Sequence, residues 1–252
     1  MKRAIITGAS SGIGAAVARE LVRRGWFVVL LARRADLLEQ LAAELKPNAI
    51  AVPCDVTDAA AVKRAVAENG PFDLAIANAG ISIPTYAATF NAADGEAMIR
   101  VNVLGLFYLF EAVIPSMIER RSGRFAGVAS LAGLRGLPSS SVYSASKAAM
   151  QAFLEANRGE LSAYGVGVTT INPGFVDTPI VEKYESKLPF LVPVRRAAKI
   201  IVDGLEQGRR EIEFPKPMSL LIRTLRFLPN ALYDRIGRRY GKRRIDQTKV
   251  RR

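Results

Sequence analysis

The chain of 252 residues contains no histidine and only one cysteine, Cys54. A lone cysteine excludes an intramolecular disulfide and any metal site built from several cysteines. The absence of histidine removes the commonest transition-metal ligand and every hydrolase mechanism that relies on an imidazole base. We therefore expect no metal centre and no serine hydrolase.

The sequence also lacks any run of about twenty consecutive apolar residues, the length that crosses a bilayer. Residues 1–7 lead straight into a glycine-rich turn, which leaves no room for the charged, apolar and cleavage regions of a secretory signal. We therefore expect a cytoplasmic protein. Half of its residues are apolar, enough for one large core, and this predicts one domain.

Positive charge is concentrated at the C-terminal end. Of the net charge of +13, residues 209–252 supply most, with fourteen Lys and Arg against four Asp and Glu. Clustered cations neutralise phosphates, so a nucleic-acid-binding protein is one alternative interpretation. The segment carries no recognised nucleic-acid motif, which disfavours a nucleic-acid partner.

Short apolar runs alternate with segments of helical length along residues 1–214. This alternation is typical of repeated βαβ units and predicts an α/β fold with a Rossmann-like, doubly wound parallel sheet. The seven expected strands are 4–6, 27–31, 49–52, 74–77, 124–128, 166–171 and 212–214. Residues 215–252 are expected to form a basic helical extension of the same domain.

Two motifs carry chemistry. The turn from Thr7 to Gly14 lies between the first strand and the first helix, where free N–H groups and the positive helix end suit a pyrophosphate. Tyr143 precedes Lys147 by one helical turn, and Ser130 lies thirteen residues before the tyrosine. In this order and spacing, the motifs resemble the short-chain dehydrogenase/reductase superfamily over about three-quarters of the chain.

The resemblance implies a nicotinamide-dependent oxidoreductase that interconverts a carbonyl and a secondary alcohol. Ser130, Tyr143, Lys147 and Asn102 match its catalytic set. Tyr143 would exchange a proton with the substrate, Lys147 would stabilise the phenolate, and Ser130 would hold the substrate oxygen. Asn102 matches the asparagine that holds a helix irregularity and a water for proton relay.

The cofactor-binding residues implied in the same way lie in loops after the strands. They are Gly8, Ser10, Ser11, Gly12, Ile13, Gly14, Arg33, Asp55, Val56, Asn78, Ala79, Gly80, Tyr143, Lys147, Pro173, Gly174, Val176 and Thr178. Arg33 and Arg34 follow the second strand, where a carboxylate would bind the ribose of NADH. Because arginine suits a 2′-phosphate instead, we predict that NADP(H) is preferred over NAD(H).

The segment after residue 214 bears on the substrate and partners. Met218, Leu221, Ile222, Leu225 and Leu228 recur at helical spacing, which predicts an amphipathic helix. It would either contact an anionic membrane through residues 216–252 or pack over the substrate cleft or a dimer partner. With an apolar loop over residues 181–193, it favours a lipophilic carbonyl such as a long-chain keto-lipid or steroid-like ketone.

Assembly and activity leave further alternatives. The resemblance implies a homodimer through helices near residues 92–119 and 142–164, with a tetramer as the alternative. A catalytically weak cofactor-binding scaffold or redox sensor is the competing interpretation of the whole chain, although its catalytic set is intact.

Overall fold

A seven-stranded parallel sheet forms the centre of the computed structural model, which describes residues 1–181, 188–235 and 237–238. The strand order is β3-β2-β1-β4-β5-β6-β7, and the predicted Rossmann-like α/β fold is confirmed. The strands are β1 Arg3–Thr7, β2 Phe27–Ala32, β3 Ala49–Pro53, β4 Leu74–Ala77, β5 Arg124–Val128, β6 Gly167–Pro173 and β7 Glu211–Phe214.

Helices cover both faces of this sheet. They are α1 Gly12–Arg23, α2 Ala35–Glu44, α3 Ala59–Asn69, α4 Ala92–Ile99, α5 Gly105–Glu119, α6 Ser141–Ser162, α7 Val194–Glu206 and α8 Lys216–Arg226. Successive strand residues point to opposite faces, so Ile6 joins the core under α1, α2 and α7, whereas Ile5 joins the core under α3, α5 and α6. Burial on both faces explains why the strands are continuously apolar.

A π-helical segment, Arg100–Leu104, joins α4 to α5. By length and composition, the helical stretch Ala92–Glu119 is apolar enough to cross a membrane, with a mean hydropathy of 1.7 in its most apolar window. Charged residues interrupt it in the sequence, so counting consecutive apolar residues did not find it. Leu106, Leu109 and Val113 pack on the sheet in the same core as Phe125, as expected for a core helix.

The C-terminal helix α8 begins directly after β7, where the amphipathic helix is predicted. Of the predicted apolar stripe, Ile222 is buried and Met218, Leu225 and Leu228 are partly buried. Leu221 departs from the prediction, because it is exposed together with Leu220 and Phe227. The sulfur of Met218 faces Gly174 at the end of β6. One side of α8 therefore packs on its own chain. Residues 239–252, which hold much of the basic charge, lie outside the described residues.

Candidate active site

The glycine-rich turn between β1 and α1 is formed by residues that a side chain would displace. Gly8 and Gly12 have φ values of 65° and 56°, the left-handed region that favours glycine. A methyl group on Gly8 would lie 2.7 Å from Cα of Ala79, so the turn can approach the loop after β4 only without a side chain. Ser11 precedes α1 and makes no side-chain capping bond, so its hydroxyl does not occupy the N–H groups of the first turn.

Asn78 holds the loop after β4 against this turn. Its side-chain amide donates to the carbonyl oxygens of Thr7 at 2.9 Å and Gly8 at 3.1 Å. The hydroxyl of Thr7 accepts hydrogen bonds from the backbone N–H groups of Asn78 and Ala79. Asn78 and Thr7 thus shape the turn. The uncapped helix end and the glycine cradle fit a dinucleotide pyrophosphate.

The two arginines after β2 have different partners. Arg34 donates to the hydroxyl oxygens of Ser10 at 3.0 Å and Ser11 at 2.7 Å. Arg33 lies 3.9 Å from a carboxylate oxygen of Asp55. Arg34 therefore contacts the glycine-rich turn, whereas Arg33 is the arginine predicted among the cofactor-binding residues.

The predicted loop after β3 is built by local bonds. One carboxylate oxygen of Asp55 accepts hydrogen bonds from the N–H and the hydroxyl of Thr57, both at 2.9 Å. Val56 is buried against Gly105, the first residue of α5. Asp55 thus fixes the turn, and Val56 anchors it to the core.

The loop after β6 lies beside the glycine-rich turn. The N–H of Gly174 donates to the carbonyl oxygen of Phe214 at 2.7 Å, which ties the end of β6 to β7. Val176 is buried, and the Thr178 hydroxyl donates to its carbonyl oxygen. A methyl group placed on Gly12 would lie 3.4 Å from Cγ2 of Thr178. The predicted cofactor loops therefore converge at the carboxyl ends of the strands.

The predicted reacting residues lie on α6, at the end of β5 and in the π-helical segment. Ser130 ends β5 and caps the short 3₁₀ helix Leu131–Gly133, with its Oγ accepting from the N–H of Ala132 at 3.1 Å. That hydroxyl donates to the carbonyl oxygen of Pro173 at 3.3 Å. Tyr143 is partly exposed, and Nζ of Lys147 lies 5.7 Å from the centre of its ring.

Asn102 is buried where the helix is irregular. Its side chain accepts from the N–H of Ile81 at 2.8 Å and donates to the carbonyl oxygen of Ile81 at 3.1 Å. It also donates to the hydroxyl of Ser146 at 3.0 Å, which donates in turn to the carbonyl oxygen of Tyr143. A methyl group on Gly80 would lie 3.3 Å from Oδ1 of Asn102 and 3.5 Å from Nζ of Lys147, so these side chains share one neighbourhood.

Comparison with known proteins decides the family. The family model for short chain dehydrogenase matches residues 2–189. The chain belongs to the short-chain dehydrogenase family. An uncharacterized oxidoreductase of Myxococcus xanthus (strain DK1622) is 38% identical over 245 residues, which cover 94% of this chain and 97% of the relative.

Two solved structures extend the comparison to cofactor complexes. A short chain dehydrogenase from Burkholderia cenocepacia J2315 in complex with NADP is 27% identical, with a TM-score of 0.83 over 93% of this chain and 98% of its own. A 3-ketoacyl-(acyl-carrier-protein) reductase from Brucella melitensis complexed with NADH is 26% identical, with a TM-score of 0.77 over 84% and 96%. The chain is thus an NAD(P)-dependent short-chain oxidoreductase.

Lys147 is the most perturbed titratable group at the site of this short-chain dehydrogenase. It is only 4% exposed, and its ammonium donates to the carbonyl oxygen of Val128 at 2.8 Å. Burial away from water lowers the pKa of Lys147 to about 7. The amine can therefore change its charge near neutral pH, which an exposed lysine does not do.

Sequence reasoning missed two polar residues that support the site of this short-chain dehydrogenase. Ser146 is fully buried and joins Asn102 to the backbone of Tyr143. Gln151 lies one turn beyond Lys147 and reaches the backbone of Ser130. Ser146 lies three residues after Tyr143, and Gln151 lies four residues after Lys147. Polar residues at helical spacing from the two motif residues were therefore the available signal.

Proposed function

We propose that this short-chain dehydrogenase is an NADPH-dependent reductase that interconverts a carbonyl and a secondary alcohol. The observation that carries the proposal is the buried amine of Lys147 beside the ring of Tyr143 on one helix, with Ser130 at the end of the neighbouring strand. A phenol alone is a poor base at neutral pH, since its ordinary pKa is about 10. When Lys147 is protonated, its positive charge beside the phenol lowers the phenol's pKa and makes the phenolate accessible.

The roles of the chain's own groups follow from their chemistry. When bound, the nicotinamide cofactor supplies the hydride for the carbonyl carbon. The Ser130 hydroxyl would turn its proton from the carbonyl oxygen of Pro173 to the carbonyl oxygen of the substrate, and Tyr143 would give that oxygen its phenolic proton. Lys147 would stabilise the resulting phenolate until a proton returns along the polar groups near Asn102.

The main test measures NADPH and NADH oxidation with short ketones, steroid-like ketones and long-chain keto-lipids. For Tyr143→Phe we expect kcat/KM to fall about 10²- to 10⁴-fold, as when a general acid is lost, with NADPH affinity unchanged. Full activity in that variant would refute the catalytic assignment. Cofactor binding by the wild type without turnover of any carbonyl would instead favour the scaffold or redox-sensor interpretation.

Preference for NADP(H) is supported by Arg34, which holds the hydroxyls of Ser10 and Ser11 beside the turn. A guanidinium and two hydroxyls suit the 2′-phosphate that distinguishes NADPH from NADH. Arg34→Ala should raise KM for NADPH about 10- to 100-fold, the loss of one charged hydrogen bond, and leave KM for NADH unchanged. Arg33→Ala separates the neighbouring arginine's contribution. Equal KM values for both cofactors in the wild type would contradict the preference.

A lipophilic substrate is supported by apolar side chains around the reacting residues. Met218 of α8 meets Gly174, and Leu131 follows Ser130. In the loop before α7, Phe190 and Leu191 are exposed, whereas Tyr184 of that loop lies outside the described residues. Since exposed apolar groups beside a site favour apolar ligands, we expect kcat/KM to rise with ketone chain length.

Contact with an anionic membrane is the second proposal, and it is favoured by the outer face of α8. Leu220 and Phe227 are 69% and 86% exposed on a segment that carries strong positive charge. We expect cosedimentation with vesicles containing anionic lipid and its loss in Leu220→Ser/Phe227→Ser. The matched control Tyr164→Ser removes an exposed aromatic residue elsewhere. No binding by the wild type would end this proposal.

The proposed location is the cytoplasm, with peripheral contact at the inner face of a membrane, and the proposed assembly is a homodimer through α4, α5 and α6. Light scattering at several protein concentrations would test the assembly. A mass near 55 kDa would support the dimer, because each chain has a mass of 27.3 kDa. A mass that matches four chains would support the tetramer alternative.

A further inference from the structure

A polar path runs from Ser130 through the interior to the C-terminal helix α8. It begins at Gln151, whose side-chain amide donates to the carbonyl oxygen of Ser130 and to Oδ1 of Asn172, both at 2.8 Å. Gly133 permits the close approach, since a methyl group there would lie 2.8 Å from Oε1 of Gln151. Gln151 therefore joins α6, the end of β5 and β6 at one point.

Asn172 continues the path across the sheet. It is 3% exposed on β6, and its amide donates to Oε1 of Glu213 on β7 at 3.3 Å. The next residue, Pro173, accepts the hydroxyl of Ser130 at its carbonyl oxygen. The hydroxyl of Ser130 is thus bonded directly to the end of β6, and its carbonyl oxygen is linked to the same strand end through Gln151.

Glu213 anchors the far end to α8. Its carboxylate accepts hydrogen bonds from the Ser219 hydroxyl and from Arg223, whose Nε and Nη2 lie 2.9 Å and 2.8 Å from its two oxygens. Burial raises the pKa of Glu213, but the bonds from Arg223 and Ser219 outweigh burial and hold that pKa below its usual value. Arg223 also pairs with Glu211 at 2.9 Å. The carboxylate is fully partnered and stays ionised at neutral pH.

We propose that Gln151, Asn172 and Glu213 are positioning residues that hold Ser130 in its reactive orientation and make α8 part of the active site. This inference rests on the proposed function. Apolar side chains would pack the same space, but they could not fix the rotation of the Ser130 peptide. Each donor on the path meets an acceptor, so loss of one member leaves buried partners unsatisfied. A displacement of about 1 Å at a reacting group can cost about 100-fold in rate.

Two substitutions at Gln151 test the path. Gln151→Met keeps the length but removes both donated bonds, and we expect kcat to fall about 10- to 100-fold with the dissociation constant of NADPH unchanged. Gln151→Glu places a carboxylate against two carbonyl oxygens, so at pH 8 its kcat should be as low as that of Gln151→Met. Its deficit relative to the wild type should shrink at least fivefold at pH 5.5, because the protonated acid again donates one bond.

The ratio of kcat for Gln151→Glu to kcat for the wild type, taken at each pH, isolates the titration of the new carboxyl group. Lys147 and Glu155, each one turn from position 151 on α6, and Glu213 beyond Asn172 are present in both proteins, so their effects on kcat cancel in the ratio. The matched control is Asn157→Ala on α6, where the amide donates to the Phe153 carbonyl oxygen within the helix. We expect its kcat to remain within twofold of the wild type.

The far end has its own pair of variants. Glu213→Gln retains one acceptor oxygen for the Asn172 amide, and its new NH2 group can donate to the Ser219 hydroxyl oxygen. It should keep kcat within about threefold, the loss of the charge-assisted part of one bond. Glu213→Leu removes every acceptor and should lower kcat about tenfold or more on the same scale. A further readout that needs no turnover is hydrogen exchange of the backbone of residues 131–134, which Gln151→Met should accelerate.

The outcomes separate the two proposals. If the wild type reduces a carbonyl and Tyr143→Phe does not, the reductase assignment stands and the Gln151 variants report on positioning alone. A folded Gln151→Met with wild-type kcat and wild-type exchange at 131–134 would overturn the inference. If Gln151→Met fails to fold, equal kcat in Glu213→Gln and Glu213→Leu would overturn it instead.

Discussion

Replacing Lys147 by methionine should stabilise the fold while it abolishes the proposed catalysis. Lys147 is 4% exposed, and burial lowers its pKa to about 7 from an ordinary value of 10.5. A buried ammonium loses hydration that the single bond to Val128 replaces only in part. A methionine of similar length would fill the same space without that cost.

The magnitude follows from proton linkage. Above pH 10.5 the amine is neutral in both the folded and the unfolded chain, and titration of Lys147 contributes nothing. As the pH falls towards 7, the unfolded chain binds a proton that the folded chain does not. Each pH unit then costs the fold about 1.4 kcal/mol, so stability rises with pH over this window. The cost reaches about 5 kcal/mol near pH 7, remains constant below it, and is about 2 kcal/mol at pH 9.

The substitution removes this cost, but it also takes away the donor to the carbonyl oxygen of Val128. The unpaired carbonyl offsets the gain in stability by about 1–3 kcal/mol. Urea unfolding of the cofactor-free Lys147→Met variant should therefore show a gain of about 2–4 kcal/mol at pH 6 that shrinks by about 3 kcal/mol by pH 9. Lys63→Met, at an exposed position on α3, is the control and should show no such trend. A gain independent of pH, or a loss of stability at pH 6, would refute the reasoning.

Three further substitutions test the scaffold around the site by urea or thermal unfolding. Gly14→Ala should lower the free energy of unfolding by about 2–4 kcal/mol, since the new methyl group would lie 2.5 Å from a carbonyl oxygen of the glycine-rich turn. Gly159→Ala is the control, because its methyl group meets nothing within 4 Å and should not destabilise the fold. Arg24→Met should cost about 1–3 kcal/mol at low salt and less at 1 M salt, because Arg24 joins one carboxylate on α1 to two on α7; an effect unchanged by salt would count against ion pairing. Asn102→Ala leaves both backbone groups of Ile81 unpaired and should cost about 1–3 kcal/mol, with a midpoint lower by several degrees; an unchanged midpoint would contradict the bonding described.

Much of the fold follows from local patterns in the sequence. Each strand is a short, continuously apolar run, and the glycines of the first turn mark where β1 ends and α1 begins. Because such strands must be buried on both faces of a parallel sheet, few topologies are open to the sequence. The proposed catalytic pair, Tyr143 and Lys147, can likewise be predicted from spacing, because one helical turn brings the two residues to one face.

The face that a helix buries depends on what lies against it. The spacing of apolar residues predicts α8, but not that Ile222 turns inward while Leu221 remains in solvent. Glu211 and Glu213 on β7 bind Arg223 and so set the rotation of α8. Arg33 and Arg34 are equivalent in the sequence as well, and the turn from β2 into α2 brings Arg34 to the serines.

The sequence by itself predicted the family, the sheet and the candidate reacting residues, because each of these is encoded in local spacing or in apolar periodicity. Only the tertiary structure decided the charge behaviour of Lys147 and the path from Ser130 to α8. Both depend on contacts between distant parts of the chain: Gln151, Asn172 and Glu213 are separated by 21 and 41 residues and meet only when α6, β6 and β7 pack side by side.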